Sequence, residues 1–404
     1  MNSDRSTPGS QTSLREANRH RIVDAVRRYG GLTQVELAEA TGLSTATVST
    51  IVKELTGAGV VETHPASRSG RRAQMVTLAR RLGVVGAVQF GQRHLTVALG
   101  DPTREILAEQ RMPLPVDHRV DTGLDRAALL VVELLERVGA GVDELLSVGV
   151  ALPAPVDEDT GMISVPGVLR GWDGIHVGQV LAKRLARPVV VDNDANLAAL
   201  AEHELGATRS HRDSIFVRVS HGTGAGIVLG GRLHRGYAGT AGEIGHVQVD
   251  PTGPICRCGN RGCLETVVGS AALLALVRTS HGELTLRDLV QGALDGDPGC
   301  RRVVADAGDR VGSVVAALAT TLNPRAIVVG GELAETGDVL LAPFRESLRR
   351  HLVPNTIAPV EVLASELGPR AEILGALALA LGATDMATDG LAVAPVPSIE
   401  GEPT

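Results

Sequence analysis

The 404 residues are 44% hydrophobic and only 1% aromatic, which allows two to four domains with cores of Leu, Val and Ala. The net charge of −7 is unevenly spread: residues 1–80 hold 11 Lys and Arg against 7 Asp and Glu, whereas the remainder holds 28 against 39. A basic head on an acidic body favours nucleic-acid binding by the head. No apolar run reaches the ~18 residues of a membrane span, and the N-terminus lacks a signal sequence, so we expect a cytoplasmic protein.

Residues 13–80 predict three helices followed by a hairpin. The first helix covers Asn18–Tyr29 and ends at a pair of glycines. Thr33 is the predicted N-cap of the second helix, with Glu36 as its capping-box partner, and Gly42 ends that helix. Ser44 caps the third helix, which has an apolar stripe. Two short helices joined by a glycine turn indicate a helix-turn-helix.

The third helix is the predicted recognition element of this motif. Its first turns display short hydroxyl side chains that reach phosphates or base edges, namely Ser44, Thr45, Thr47, Ser49 and Thr50. Strands Val60–Thr63 and Met75–Leu78 predict a hairpin, and Arg68, Arg71 and Arg72 at its tip suit phosphate or minor-groove contact. The order of these features predicts a winged helix-turn-helix; a three-helix protein-interaction module is the alternative.

From Leu82 onward, short apolar strands alternate with helices, which indicates an α/β body with layered sheets. The predicted strands are Val84–Gln89, His94–Leu99, Leu146–Leu152, Val189–Val191, Ile215–Val219, Ala225–Leu229 and Ile327–Val329. The predicted helices are Ala127–Val138, Val177–Ala186, Ala305–Leu322 and Ala371–Leu381. Because about 300 residues exceed one core, we expect two lobes. Residues 384–404 are rich in Pro, Gly and acids, and we expect a disordered tail.

Three of the four cysteines cluster with a histidine. His246, Cys256, Cys258 and Cys263 lie within eighteen residues, as a closed tetrahedral zinc site requires. Glycines at 259 and 262 allow the tight turns that bring the sulfurs together. The sequence therefore predicts a structural Zn²⁺ site, with unligated buried cysteines as the alternative.

Two further stretches leave their interpretation open. Asp194 follows the buried strand at Val189–Val191, where a carboxylate accepts a proton from a sugar hydroxyl or caps a helix. The run Ser220–Gly226 is glycine-rich, which suits phosphate binding, but by itself it favours a plain hairpin.

Together these residues resemble the ROK family of repressors and sugar kinases over residues 13–383. The most specific part is Gly242–His246 with the Cys256-x-Cys258 … Cys263-x-Glu265 run. The resemblance implies a winged helix-turn-helix over 13–80 and a two-lobed, actin-like sugar-kinase fold. The first lobe is 82–192, completed by a C-terminal helix at 368–383, and the second is 193–367 with the zinc loop. The resemblance also implies sugar contacts for five residues: Asn193, Asp194, Glu243, His246 and Glu265.

One departure from the family pattern bears on activity. ROK kinases carry an Asp-x-Gly-Gly-Thr phosphate loop, and the matching run here is Gln89-Phe90-Gly91-Gln92-Arg93. Bulky side chains replace the small ones that admit ATP phosphates, so we expect no enzymatic activity and treat Asp194 as a vestigial catalytic base. The favoured function is a sugar-responsive repressor that binds double-stranded operator DNA as a homodimer or homotetramer, with a sugar or sugar phosphate as effector.

Two other functions remain as alternatives. Asp194 keeps open an ATP-dependent sugar kinase with an appended DNA-binding head. A zinc-dependent hydrolase is disfavoured, because four protein ligands leave no open position for water.

Overall fold

The computed structural model describes residues 11–68, 71–115 and 119–384, with the side chains of 11–13, 67, 68, 71 and 72 left out. Two compact units are separated between Leu82 and Gly83, and each is described by itself. The predicted tail at 385–404 and the hairpin tip at Ser69 and Gly70 lie outside the described residues. Among the described residues, no helix is long and apolar enough to cross a membrane.

The first unit holds three helices and a small sheet: α1 (Gln11–Tyr29), β1 (Leu32–Thr33), α2 (Gln34–Thr41), α3 (Thr45–Gly57), β2 (Val61–Arg68) and β3 (Arg71–Leu78). The capping box predicted at Thr33 and Glu36 is present, and Gly42 adopts the left-handed conformation that ends α2. The α1 helix starts seven residues earlier than predicted. The core contains Ile22, Leu37 and Ile51.

The hairpin is longer than its apolar residues suggested. β2 and β3 pair antiparallel from Val61↔Leu78 to Arg68↔Arg71, and β1 pairs with β3. The prediction that Arg68, Arg71 and Arg72 stand in a loop is therefore wrong for the backbone. All three lie at the strand ends that flank the tip, because pairing continues beyond the buried part of the hairpin.

The second unit contains two five-stranded sheets. The first has the order β6-β5-β4-β7-β8 and is built from β4 (Val84–Phe90), β5 (His94–Gly100), β6 (Ile106–Pro113), β7 (Leu145–Leu152) and β8 (Val189–Asn193). β4 and β5 form the predicted hairpin, and β7 and β8 continue the sheet in parallel. Phe90 and Trp172 pack edge-to-face in its core with ring centroids 5.0 Å apart. The carboxyl ends of β4, β7 and β8 thus meet at one edge.

The second sheet has the order β11-β10-β9-β12-β13, from β9 (Ser214–Val219), β10 (Thr223–Leu229), β11 (Arg232–His234), β12 (Ala326–Gly330) and β13 (Glu361–Ala364). β9 and β10 are joined by a tight turn, so the glycine-rich stretch forms the hairpin that its local sequence favoured.

Nine α-helices belong to the described part of this unit. In chain order they are α4 (Val120–Val138), α5 (Val177–Leu185), α6 (Asp194–Glu204), α7 (Glu265–Val268), α8 (Ser270–His281), α9 (Leu286–Leu294), α10 (Pro298–Leu322), α11 (Asp338–His351) and α12 (Ala371–Gly382). The predicted helices at Ala127 and Ala305 start earlier, the second because Asp297 caps α10 with Pro298 in its first turn. The helices α6 to α9 and α11 were not predicted, and α6 is buried nearly all round and shows no polar face.

The last helix packs back onto the first sheet. The hydroxyl of Ser147 on β7 donates to the carbonyl of Ala380 over 2.7 Å. Gly149 allows the contact, because a Cβ there would lie 2.0 Å from the carbonyl oxygen of Ala376. On its other side α12 touches α6, where Gly375 meets the backbone of Leu197. Thus α12 connects the first sheet with the helix that begins at Asp194.

Candidate functional site

The recognition-helix hydroxyls divide into two groups. Ser44 is the N-cap of α3 and accepts from the Thr47 backbone over 3.1 Å, and the Thr50 hydroxyl donates to the carbonyl of Ala46 over 3.0 Å. Thr45 and Ser49 are exposed and form no side-chain hydrogen bond within the described head. Because their hydroxyls are not used locally, Thr45 and Ser49 have the greatest freedom to contact a ligand.

The five predicted sugar contacts line one cavity of about 70 Å³ in the second unit: Asn193, Asp194, Glu243, His246 and Glu265. The carboxyl ends of β4, β7 and β8 supply one side through Gln89, Pro153 and Asn193. The β9–β10 turn supplies Ser220–Gly224, and the chain up to the first residue of α7 supplies Glu243, His246, Arg257 and Glu265. The fold thus brings together five predicted contacts that are up to 72 positions apart in the chain.

Asn193 and Asp194 have distinct local roles. Asn193, not Asp194, is the N-cap of α6: its Oδ1 accepts from the backbone of Ala195 at 2.8 Å and Asn196 at 3.2 Å. Asp194 Oδ1 also accepts from Ala195, and its Oδ2 lies 3.6 Å from Arg218 Nε. Burial raises the pKa of the Asp194 carboxyl, and the Arg218 guanidinium opposes that shift. The capping alternative therefore applies to Asn193, and Asp194 keeps an oxygen on the cavity.

Two further carboxyls face the same space. Burial raises the pKa of Glu243 to about 7, helped by the nearby Asp194 carboxylate. Burial also raises the pKa of Glu265, although its Oε2 accepts from the Thr223 backbone over 2.9 Å. Carboxyl groups this close accept or donate hydrogen bonds according to their protonation, which suits a ligand rich in hydroxyls.

The four predicted metal ligands converge. His246 Nδ1 lies 3.5 Å from Cys256 Sγ, and Cys258 Sγ lies 3.7 Å from Cys263 Sγ. All four ligand atoms lie within 4.8 Å of one another. With metal–sulfur bonds of about 2.3 Å, a tetrahedral centre would separate its sulfurs by nearly the distance between Cys258 Sγ and Cys263 Sγ. The four residues therefore fit a bound metal ion. Gly262 makes the turn possible: it has φ 64°, and a Cβ there would lie 1.5 Å from the carbonyl oxygen of Asp250.

His246 joins the metal-ligand cluster to the cavity. Its Nδ1 faces the cysteines, while its Nε2 lies 3.8 Å from Glu243 Oε2 on the cavity side. The two ring nitrogens therefore face two different sites.

The run that resembles the kinase phosphate loop is covered by a neighbouring side chain. The His94 imidazole lies directly over Gly91, since a Cβ on that glycine would come 2.2 Å from the ring. Gln89 is buried at the cavity wall. The His94 ring thus lies close against the backbone of this run at Gly91.

Sequence reasoning missed Arg218 and His94. Arg218 lies on β9, and its Nε donates to Glu372 Oε1 over 2.8 Å while facing Asp194. The available signal for Arg218 was a charged residue inside the apolar run Ile215–Val219. His94 gave no comparable signal, because its position over Gly91 depends on the β4–β5 pairing.

Comparisons with known proteins agree with both units. The ROK family profile matches residues 85–383, and the MarR family profile matches residues 16–73. Over 395 residues the chain is 33% identical to the Escherichia coli DNA-binding transcriptional dual regulator NagC, covering 92% of this chain and 96% of the relative. It is 26% identical to the Bacillus subtilis xylose repressor, covering 90% of this chain and 95% of the relative.

Solved structures give the same division. A ROK family transcriptional regulator, described as a homologue of the E. coli MLC protein, matches with a TM-score of 0.75 and 26% identity over 94% of this chain and 98% of its own. A ROK family glucokinase from Streptomyces griseus, in complex with glucose and AMPPNP, matches with a TM-score of 0.66 and 29% identity. That glucokinase covers 74% of this chain and is itself covered over 99% of its length. The fold is therefore a winged helix-turn-helix followed by an actin-like sugar-kinase fold.

Proposed function

This chain belongs to the ROK family, and we propose that it is a sugar-responsive transcriptional regulator that represses from a double-stranded DNA operator. One observation carries the proposal. The five predicted sugar contacts line one cavity, whereas the His94 ring covers Gly91 in the run that matches the kinase phosphate loop. The chain combines a DNA-binding head and a sugar pocket with a phosphate loop that no longer admits ATP.

In the proposed pocket, carboxyl groups recognise sugar hydroxyls. Asp194, Glu243 and Glu265 are placed to form hydrogen bonds, with His246 Nε2 beside Glu243. Asn193 keeps its amide nitrogen for the ligand, because its Oδ1 caps α6. Arg218 faces Asp194 and opposes the rise in its pKa that burial causes.

We propose a structural Zn²⁺ held by His246, Cys256, Cys258 and Cys263. The ion would fix the imidazole orientation and so prepare Nε2 for the sugar. It would also tie the loop to Glu265, which follows Cys263 by two residues. The four protein ligands leave no open position, which argues against hydrolysis at the metal.

Release from DNA follows from closure of the two proposed lobes, 82–192 with 368–383 and 193–367, around the sugar. Closure alters the spacing of two heads in a homodimer or homotetramer. Paired heads must meet half-sites about one helical turn (~10 bp) apart, so a small rotation suffices to lower operator affinity.

The test is fluorescence anisotropy with a DNA fragment from the region upstream of the chain's own gene. We expect salt-dependent binding that one sugar or sugar phosphate weakens. A thermal-shift screen identifies that ligand, because a molecule specific to the folded state raises the Tm. Asp194→Asn should abolish both the shift and the release while DNA affinity without sugar is unchanged. Affinity that no sugar alters would overturn the effector part of the proposal.

The second candidate is a sugar kinase with an appended head. Asp194 in the cavity and the glycine-rich Gly222–Gly224 turn, which suits phosphate binding, favour it, as does the likeness to the glucokinase. Sugar-dependent ADP production that disappears in Asp194→Asn would establish the kinase in place of our proposal.

A further inference from the structure

A second group of metal-ligating side chains lies where two helices of the second unit meet. It consists of His281 at the end of α8, Asp297 as the N-cap of α10, and Cys300 in the first turn of α10. One ligand atom from each lies within 4.8 Å of the other two, and Cys300 is a free cysteine. This group, the His281 site, shares no residue with the metal-ligand cluster that contains His246.

The hydrogen bonds of His281 direct a lone pair of its ring towards Asp297. The Ser280 hydroxyl donates its one proton to the Val277 carbonyl over 3.0 Å, so its oxygen accepts from His281 Nδ1 over 2.7 Å. With the proton on Nδ1, Nε2 of the neutral ring carries a lone pair and lies 3.1 Å from Asp297 Oδ2. Two acceptor atoms this close need a proton or a metal ion between them. Metal-binding histidines are oriented by the same kind of hydrogen bond from the other nitrogen.

Asp297 and Cys300 are positioned by the start of α10. Asp297 Oδ1 accepts from the Cys300 backbone over 2.7 Å, and Oδ2 faces the imidazole. This backbone hydrogen bond and the nearby His281 lower the pKa of Asp297 to about 2, so the carboxylate is charged. Cys300 is buried, whereas the side chains of His281 and Asp297 are 26% and 34% exposed. An ion can therefore enter from solvent and meet nitrogen, oxygen and sulfur ligands.

Two glycines keep space free around the His281 site. A Cβ at Gly292 on α9 would lie 2.9 Å from Cys300 Sγ, and a Cβ at Gly299 would lie 3.2 Å from His281 Cε1. Glycine destabilises a helix relative to alanine, but alanine at position 292 would press against the sulfur. The helices thus leave room beside two of the three ligands.

We propose that His281, Asp297 and Cys300 bind one divalent transition-metal ion, for which Zn²⁺ is the best fit. Imidazole nitrogen, carboxylate oxygen and thiolate sulfur are all zinc ligands, and bonds of about 2.0–2.3 Å would separate them by roughly 3.4–3.6 Å around a tetrahedral ion. The Cys300 thiol loses its proton to solvent when its sulfur binds. Three protein ligands leave the fourth position open to water. The ion would join the end of α8 to the start of α10 and so close the segment that contains α9.

The test is equilibrium dialysis of the full-length protein against dilute Zn²⁺, with the bound metal measured by elemental analysis. We expect two ions per chain in the wild type and one in His281→Gln and in Cys300→Ser, which should both keep the ion of the metal-ligand cluster and the sugar response. Ser280→Ala should weaken Zn²⁺ binding at the His281 site roughly 10–100-fold, because the ring loses the partner that orients it. The matched control is His211→Gln, which removes a histidine 3.6 Å from a carboxylate oxygen of Glu361 outside both groups and should keep two ions.

The inference is overturned if His281→Gln and Cys300→Ser bind as much Zn²⁺ as the wild type, since His281 and Asp297 then share only a proton. It is also overturned if His211→Gln loses an ion as well. His281 is partly exposed, so His281→Gln should fold even if the buried Cys300→Ser does not. Cys258→Ser separates the two metal sites. A single ion that His281→Gln removes and Cys258→Ser keeps would support the His281 site and refute the structural Zn²⁺ of the metal-ligand cluster; the reverse pattern would refute the His281 site.

Discussion

Arg218 donates from Nε to Glu372 Oε1 over 2.8 Å, and the same nitrogen lies 3.6 Å from Asp194 Oδ2. Arg218 lies on β9, Glu372 in the first turn of α12, and Asp194 at the start of α6. One guanidinium therefore neutralises two buried carboxyls on different helices, one of which faces the proposed sugar pocket.

Replacing Arg218 should strongly destabilise the second unit. Arg218→Met leaves Asp194 and Glu372 buried without their cation, and we expect a loss of about 3–5 kcal/mol in the free energy of unfolding. Urea denaturation measures the change. The control is Arg349→Met, whose exposed pair with Glu346 should contribute less than about 1 kcal/mol. Equal effects of the two substitutions would contradict the role given to Arg218.

Removing one metal ligand should affect the sugar response before DNA binding. Cys258→Ser should lose the zinc and loosen the loop that carries Glu265, so that a sugar no longer raises the Tm. Metal content is measured by elemental analysis and operator affinity by anisotropy. Cys300→Ser is the control, since Cys300 lies outside the four-residue cluster. Equal loss of sugar and DNA binding would mean that the metal supports the whole body or the oligomer.

Folding stability should decrease as the pH falls below about 6.5, because His94 has a lowered pKa in the folded chain. The unfolded chain binds the proton at the ordinary pKa of 6.5, whereas the folded chain binds it only near 4. The unfolded state thus takes up more protons as the pH falls from 6.5 towards 4, and this contribution to stability is lost over that window. Urea denaturation at pH 7 and pH 5 should give a smaller pH effect in His94→Gln than in the wild type. The same pH effect in both would show that His94 does not carry it.

Two serines on the recognition helix should separate stability from DNA contact. Ser49→Ala should weaken operator binding by about tenfold, if the exposed hydroxyl reads a base edge, and leave the Tm unchanged. Ser44→Ala should instead cost about 1 kcal/mol of stability, because Ser44 caps α3. Anisotropy and thermal melting are measured on both variants. Unchanged operator affinity in the Ser49 variant would mean that Ser49 does not contact a base, and would leave the other hydroxyl residues of the helix as candidates.

Local signals predicted the elements whose ends are set by neighbouring residues. The Thr33 and Glu36 capping box, the left-handed Gly42 and the Ser44 cap lie where their spacing indicated. The cysteine spacing likewise predicted the residues that now meet around a possible metal ion. These features depend on short stretches of chain, so their geometry follows from residue type and separation.

The sequence by itself thus determined the head, seven of the ten strands described in the two sheets and the metal-ligand cluster, whereas β6, β11 and β13 were not predicted. Only the tertiary structure decided that Arg218 faces Asp194 and Glu372, that His94 covers Gly91, and that His281, Asp297 and Cys300 come together. Arg218 and Glu372 are 154 positions apart. Their contact exists because α12 returns to pack against α6 and the first sheet. Such contacts depend on how whole elements pack, so a local sequence pattern does not predict which side chains will be in contact.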